Sequence, residues 1–261
     1  MARDNHDPLA QRARGLNFDM LARSVLSSYR PRLPQELGKR LQDSAEWLSA
    51  RALQRGGFDN VTVMQEMTRR GISKTDVMDH CIARASVIVG EGWHQDTLSF
   101  WQVTLASARL YGLVKHISVE WRPRCPAIPQ VAVIIVTMKG EDHIIGPAIL
   151  ADQLRRLGCS VCISSSDVTG GIAARLQTDA FDLALLSCGT LESLEIAALV
   201  VKDIRQKCVC APLIGLGGSV LGQCDGILAQ TGVDFLARDV TQALAMCDMG
   251  QSAAASKVVQ V

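Results

Sequence analysis

Beyond residue 130 the sequence alternates short apolar runs with helical segments, and this alternation constrains the fold more than any other feature. Runs of strand length cover 131–137, 160–164, 183–187, 211–215 and 233–236. Helical patterns cover 145–157, 170–177, 191–206 and 239–247. Strands that alternate with helices pack as a parallel sheet with helices on both faces. The sequence therefore predicts a doubly wound, five-stranded parallel sheet of flavodoxin or Rossmann type over residues 131–250.

Residues 35–118 have helical patterns and few strand signals, which predicts an N-terminal helix bundle. The first helix carries apolar residues at helical spacing and ends at a glycine pair: Leu37, Leu41, Ala45, Leu48, Ala52 and Gly56-Gly57. Further helices are predicted over 61–69, 75–89 (capped by Ser73) and 98–117, with a glycine-flanked corner at 90–94. In the last helix the residues expected to face inward are Phe100, Val103, Ala106 and Leu110.

Three segments lack a folding pattern of their own. Residues 1–34 are rich in arginine and interrupted by prolines, which predicts a flexible basic arm. Residues 119–130 contain three prolines and predict an extended linker. Residues 251–261 show no periodicity, so we expect a disordered tail.

The composition restricts the classes of function. A net charge of +1 with 20% charged residues does not mark the whole chain as a nucleic-acid binder. Nine cysteines, an odd number scattered through apolar segments, favour reduced thiols. The apolar runs are too short to span a bilayer, and no secretory signal opens the chain. We therefore expect a cytoplasmic protein without a membrane partner.

The first distinctive corner lies between the first predicted strand and its helix. It contains Glu141, Asp142, His143 and Gly146. A carboxylate beside a histidine orients a neutral imidazole, and ligands of such sheets bind at the carboxyl ends of the strands. Acidic residues at a helix start are also typical of simple dipole complementation, so the residues alone leave both interpretations open.

Two more corners follow the third and fourth predicted strands. One carries Ser187 and Thr190, which place hydroxyl groups at the crevice. The other carries Gly215, Gly217 and Gly218, whose missing side chains would let a bulky planar group approach the backbone. All five are candidate cofactor-binding residues, although each corner alone is also compatible with an ordinary loop.

The order and spacing of the three corners closely resemble those of cobalamin-binding domains, with their Asp-x-His-x-x-Gly signature, serine corner and glycine pair. The resemblance covers about residues 128–250. It implies that His143, steered by Glu141, is the lower axial ligand of cobalt. It also implies that Ser187 and Gly217-Gly218 line the slot for the displaced nucleotide tail. Haem, with His143 as the iron ligand, stays open as the alternative cofactor.

Two positions depart from the pattern of that family. Glu141 stands where the family usually has aspartate, and it is longer by one methylene group. Gly189 stands two residues after the serine, where the family usually has leucine.

Residues 90–109 resemble the helical caps of light-sensing cobalamin repressors of the CarH type, in which Glu-His follows a tryptophan. Trp93 has the place of that tryptophan, which implies that it shields the upper face of the corrin. Val103 and Thr104 stand at the Glu-His positions, which predicts hydroxo- or aquocobalamin rather than adenosylcobalamin. His94 is the candidate upper axial cobalt ligand, and a plain surface histidine is the alternative.

Over about residues 35–250 the chain most resembles antirepressors of the AerR/PpaA type from purple photosynthetic bacteria. The resemblance implies a cobalamin-binding, light- or ligand-responsive transcriptional regulator that is not an enzyme. Its expected partner is a photosynthesis-gene repressor of the CrtJ/PpsR type, and a weak DNA contact through the basic arm stays open. The alternatives are a corrinoid carrier protein of a methyltransferase system and a haem-binding sensor of the same fold.

Overall fold

A computed structural model describes residues 35–118, 131–141, 143–167 and 171–246, which form two compact units. Of these residues, the helical unit contains 35–118 and 143–153, and the α/β unit contains 131–141, 154–167 and 171–246. The predicted fold class, helices followed by a doubly wound parallel sheet, is confirmed. The predicted arm, linker and tail (1–34, 119–130 and 251–261) lie outside the described residues.

In the helical unit, local sequence explains where two of the helices begin. Its elements are α1 (Gln35–Leu53), α2 (Asn60–Arg69), α3 (Lys74–Asp76), a π-helix (Val77–Ile82), α4 (Ala83–His94) and α5 (Phe100–Ser118). Asp59 caps α2 and Ser73 caps α3, each through its side-chain oxygen. The first part of α6 (Ile145–Arg156) also belongs to this unit, because Ile145, Ala148 and Ile149 lie in its core.

The segment from Lys74 to His94 differs from the prediction in two ways. It contains a six-residue π-helix, whose wider turn a search for 3.6-residue periodicity does not reveal. The predicted corner at 90–94 is instead the end of α4, and the chain turns later, near Asp96, which has φ +54°. Glycine costs about 1 kcal/mol in a helix interior, and packing along the rest of the helix outweighs that cost here.

Phe100 is also not where the periodicity placed it, because its side chain is 72% exposed. The buried residues of α5 are Ala106, Leu110, Leu113 and Val114. At 100° per residue, Phe100 lies about 95° from the centre of that face, in the first turn of the helix. The prediction that Phe100 faces the core is wrong.

The α/β unit has a parallel sheet with strand order β2-β1-β3-β4-β5. Its elements are β1 (Ala132–Thr137), the end of α6, β2 (Ser160–Ser165), α7 (Gly171–Thr178), β3 (Leu183–Ser187), α8 (Leu191–Lys207), β4 (Leu213–Gly217), a 3₁₀ helix (Ser219–Gly222), α9 (Ile227–Thr231) and β5 (Phe235–Leu236). A further helix covers 240–246. This is the flavodoxin-like order, in which the direction of winding changes between β1 and β3.

The largest shift from the prediction concerns β4, expected at 211–215 and found at Leu213–Gly217. Pro212 cannot donate to a ladder, so the strand begins after it. The two short helices between β4 and β5 were also not predicted. Across the parts of the chain that the structure describes, no helix combines the length and hydrophobicity needed to cross a membrane.

Candidate functional site

The register of the central strands brings the three predicted corners to one edge of the sheet. Thr137 at the end of β1 pairs with Ser187 at the end of β3, and Ser187 pairs with Gly217 at the end of β4. Because these strands are parallel and end at the same level, the loops that follow them leave the same edge. The edge lies at the change of winding direction, where ligands of doubly wound sheets bind.

The backbone of Gly189 connects all three corners. Its N–H donates to Glu141 Oε2 in the loop after β1, with an N···O distance of 2.7 Å. Its carbonyl oxygen accepts from Ser219 Oγ at 2.9 Å and from Gln223 Nε2 at 3.0 Å, both located after β4. Gly189, a single residue in the loop after β3, is therefore hydrogen-bonded to the segments that follow both neighbouring strands.

The glycine pair at the end of β4, Gly217 and Gly218, is required by close packing within the protein. Gly218 has φ +118°, and a Cβ built on it would lie 2.0 Å from the carbonyl oxygen of Cys188. A Cβ on Gly217 would lie 2.7 Å from the carbonyl oxygen of Ala237. The backbone N–H of Cys188 also donates to the Gly217 carbonyl at 2.9 Å. Contact of this pair with a cofactor stays a prediction, but the pair already has a structural reason.

Gly215 is not part of the corner, contrary to the prediction. It lies inside β4 and is buried, and a Cβ there would lie 2.4 Å from the Phe235 ring. The shift of β4 by two residues explains the difference.

The two hydroxyl groups predicted after β3 are in different situations. Thr190 is the N-cap of α8, where it forms a reciprocal capping box with Ser193. Ser187 is half-buried, and its hydroxyl has no hydrogen-bond partner among the described residues. Ser187 is therefore the more available of the two for a ligand.

Cys188 lies beneath this edge and is fully buried. Burial raises the pKa of its thiol to about 12, against a smaller lowering effect of the hydrogen bond with Ser193, while the charge of Glu141 adds to the increase. Its Sγ donates to the Ser193 carbonyl at 3.6 Å. Cys188 is thus a neutral packing residue at ordinary pH.

His143 is exposed and precedes the first residue of α6 by two positions. Gly146 lies in the first turn of α6, and a Cβ built on it would have no atom within 4 Å. An imidazole that solvent can reach is a competent metal ligand. The orientation of His143 by Glu141 stays a prediction, and Asp142 lies outside the described residues.

Trp93 and His94 form the last turn of α4 in the helical unit, and both are exposed. The Trp93 ring contacts Phe100 edge-on, with a centroid distance of 6.2 Å. Their predicted roles beside a cofactor stay predictions.

Sequence reasoning did not identify Ser219 and Gln223 as part of this edge. Both are exposed polar residues, one at the start of the 3₁₀ helix and one directly after it, and nothing in their spacing signals that they bind the carbonyl of Gly189. Gly189 itself was visible only as a departure from a family pattern.

No protein-family model matches the chain. It is 29% identical over 167 residues to an "uncharacterized 20.5 kDa protein in bchF-crtJ intergenic region" of Rhodobacter capsulatus, covering 64% of this chain and 87% of that protein. Among solved structures it is similar to the monomethylamine corrinoid protein of Methanosarcina barkeri, with a TM-score of 0.62, 12% identity, and coverage of 81% of this chain and 99% of that one. A cobalamin-binding protein from Desulfitobacterium hafniense matches with a TM-score of 0.42 and 15% identity, over 80% and 97% of the two chains. The chain shares its fold with the Methanosarcina protein.

Proposed function

We propose that the chain binds cobalamin at the C-terminal edge of its sheet, with His143 as the lower axial ligand of cobalt. The observation that carries the proposal is the register of Thr137, Ser187 and Gly217, because the loops that follow these three strand ends leave the same edge of the sheet. These corners occur in the order typical of cobalamin-binding domains. The fold shared with a corrinoid protein supports the same conclusion.

The residues at this edge fit such a group. The His143 side chain is exposed, and the open space at Gly146 lies on the helix that follows it. The Ser187 hydroxyl, without a partner in the described part of the chain, is available to a polar group of the nucleotide tail. When bound, cobalamin supplies a cobalt centre whose upper ligand exchanges in response to light or redox state.

We further propose that the bound cofactor makes the chain a regulator of a transcriptional repressor of the CrtJ/PpsR type. The support is the relative from the bchF-crtJ intergenic region, together with the resemblance to antirepressors of the AerR/PpaA type. A ligand state can act on a partner only if the partner binds the two states with different affinity. Val103 and Thr104, at the places of the Glu-His pair, favour the hydroxo or aquo form of the cofactor.

A corrinoid carrier of a methyltransferase system is the second candidate. The match to the monomethylamine corrinoid protein, which covers 99% of that chain, supports it. The two functions differ in their use of a methyl group. A carrier passes the methyl group of methylcobalamin to an acceptor thiol in repeated turnovers with a methyltransferase, whereas a regulator changes its affinity for a repressor.

The test of the cofactor site uses electron paramagnetic resonance of cob(II)alamin bound to protein labelled with the heavy nitrogen isotope. Ligation by His143 gives doublet splitting from the labelled imidazole, and retention of the vitamin's own unlabelled base gives triplet splitting. We expect the doublet in the wild type and its loss in His143→Ala. His80→Ala, which removes an exposed histidine of the π-helix, is the matched control and should keep the doublet.

A triplet in the wild type would refute the ligand assignment. Failure to retain any corrinoid, together with haem binding that requires His143, would establish the haem sensor instead. For the regulatory role, the measurement is the affinity of the cobalamin-loaded chain for a CrtJ/PpsR-type repressor before and after illumination. Equal affinities in both states would exclude a light-dependent antirepressor.

A further inference from the structure

The two departures from the cobalamin-family pattern meet in a single hydrogen bond. Glu141, where the family usually has aspartate, accepts from the backbone N–H of Gly189, where the family usually has leucine. The N···O distance of 2.7 Å is short for a hydrogen bond donated by a backbone amide, as expected when the acceptor is a charged carboxylate. An aspartate at position 141 would be one methylene group shorter, so it would not reach this N–H from the same backbone position.

The other side of Gly189 is fixed by the corner after β4. Ser219 Oγ and Gln223 Nε2 both donate to its carbonyl oxygen. The preceding residue, Cys188, is fully buried and hydrogen-bonded through its backbone to Gly217. Gly189 is therefore held in place from β4, and Glu141 attaches the loop after β1 to this fixed point.

We propose that Gly189 and Glu141 position the loop that carries His143, and that Ser219 and Gln223 act on cobalt ligation through them. The proposal rests on the cobalamin site proposed above. Glu141 follows β1 by four residues and precedes His143 by two, so the bond to Gly189 restrains the loop next to the ligand. In this role Glu141 is a positioning residue, and the reach of its side chain matters more than its charge.

The alternative is that the carboxylate of Glu141 acts on the imidazole of His143, as the family resemblance implies for aspartate. The two roles predict opposite orders for two conservative variants. Glu141→Gln keeps the length and an acceptor oxygen but loses the charge. Glu141→Asp keeps the charge but loses the length.

The experiment compares the affinity of these variants for cobinamide, which lacks the nucleotide base and therefore depends on a protein ligand. We expect about tenfold weaker binding for Glu141→Asp, the size typical for loss of a group that orients a metal ligand. Glu141→Gln should stay within about threefold of the wild type, because one neutral hydrogen bond replaces a charge-assisted one. The reverse order would overturn the proposal.

A second variant avoids changing the loop next to His143. Ser219→Ala combined with Gln223→Ala removes both side-chain donors to the Gly189 carbonyl. We expect weaker cobinamide binding and a lower intensity of the EPR doublet. Gln230→Ala, which truncates an exposed glutamine of α9, is the matched control and should leave both unchanged. Unchanged binding by the double variant would also overturn the proposal.

Hydrogen exchange of the Gly189 amide in the cofactor-free protein gives an independent readout. Exchange should be faster in Glu141→Asp and near the wild-type rate in Glu141→Gln. If the wild type binds no cobinamide, the proposed function fails and this inference fails with it. If the wild type binds through His143 but Glu141→Gln binds cobinamide more weakly than Glu141→Asp, only this inference fails.

Discussion

Gly218→Ala tests the close packing between the corners after β3 and β4. The backbone of Gly218 has φ +118° and ψ 178°, a region that is essentially restricted to glycine. A residue with a side chain held there costs about 1–3 kcal/mol. The added Cβ would also lie 2.0 Å from the carbonyl oxygen of Cys188, far inside van der Waals contact.

Relief of this overlap requires movement of backbone rather than of a flexible side chain. The atoms concerned take part in two hydrogen bonds, Cys188 N–H to the Gly217 carbonyl at 2.9 Å and Val220 N–H to the Cys188 carbonyl at 3.3 Å. Each contributes about 1 kcal/mol to stability. With the backbone strain included, we expect Gly218→Ala to lower the free energy of unfolding by about 3–5 kcal/mol.

Urea unfolding followed by far-ultraviolet circular dichroism measures this loss, with tryptophan fluorescence as a second probe. Residues 131–246 contain no tryptophan, so the fluorescence follows the helical unit, whereas circular dichroism also reports on the α/β unit. Gly222→Ala is the control in the same corner, because a Cβ there meets no atom within 4 Å, and it should change stability by less than about 1 kcal/mol. A Gly218→Ala loss below about 1 kcal/mol would refute the packing argument.

Three other predictions follow from packing, capping and buried thiols. Gly146→Ala should raise the stability of the cofactor-free protein by up to about 1 kcal/mol in urea unfolding, because alanine favours the helix and has room, yet it should weaken cobalamin binding measured by absorbance titration. Arg109→Ala should lower stability by about 2 kcal/mol, read by tryptophan fluorescence, because the guanidinium bonds three carbonyl groups at and beyond the end of α1. Burial raises the thiol pKa of Cys81, Cys159 and Cys188 from 9.0 to about 12, so the unfolded chain releases these protons first as the pH rises. The contribution of these thiols to stability should therefore be constant below about pH 8 and be lost between about pH 9 and 12, and urea midpoints that stay level between pH 9 and 12 would contradict the burial of these thiols.

Most of the fold could be predicted because hydrophobic periodicity and strand length are local signals. The third strand was predicted at 183–187, where it occurs, because a short apolar run between polar residues is typical of a buried strand. The π-helix at Val77–Ile82 could not be predicted, since its wider turn gives no distinct pattern in one sequence. The position of Phe100 was missed because the ends of a helix extend beyond the core that sets its periodicity.

The site was predictable in its parts but not in its connections. Ser187 and Gly217 were identified from corner chemistry, and strand register explains why they share an edge with the end of β1, whereas the place of His143 at that edge stays a prediction. The hydrogen bonds of Gly189 join residues 30 to 48 positions apart in the chain, and nothing local specifies them. Gly215 was predicted at the corner after β4, but β4 begins only after Pro212, so Gly215 lies inside the strand.

The assignment of the start of α6 to the helical unit has a consequence for any attempt to express parts of this protein. A fragment that begins at residue 131 would carry Ile145, Ala148 and Ile149 without the helices that bury them, and a fragment that ends at residue 118 would lack these three side chains in its core. Each half would then expose apolar surface that the intact chain covers, which favours aggregation during purification. The proline-rich stretch at 119–130 marks a boundary in sequence, yet it is a poor place to divide the polypeptide.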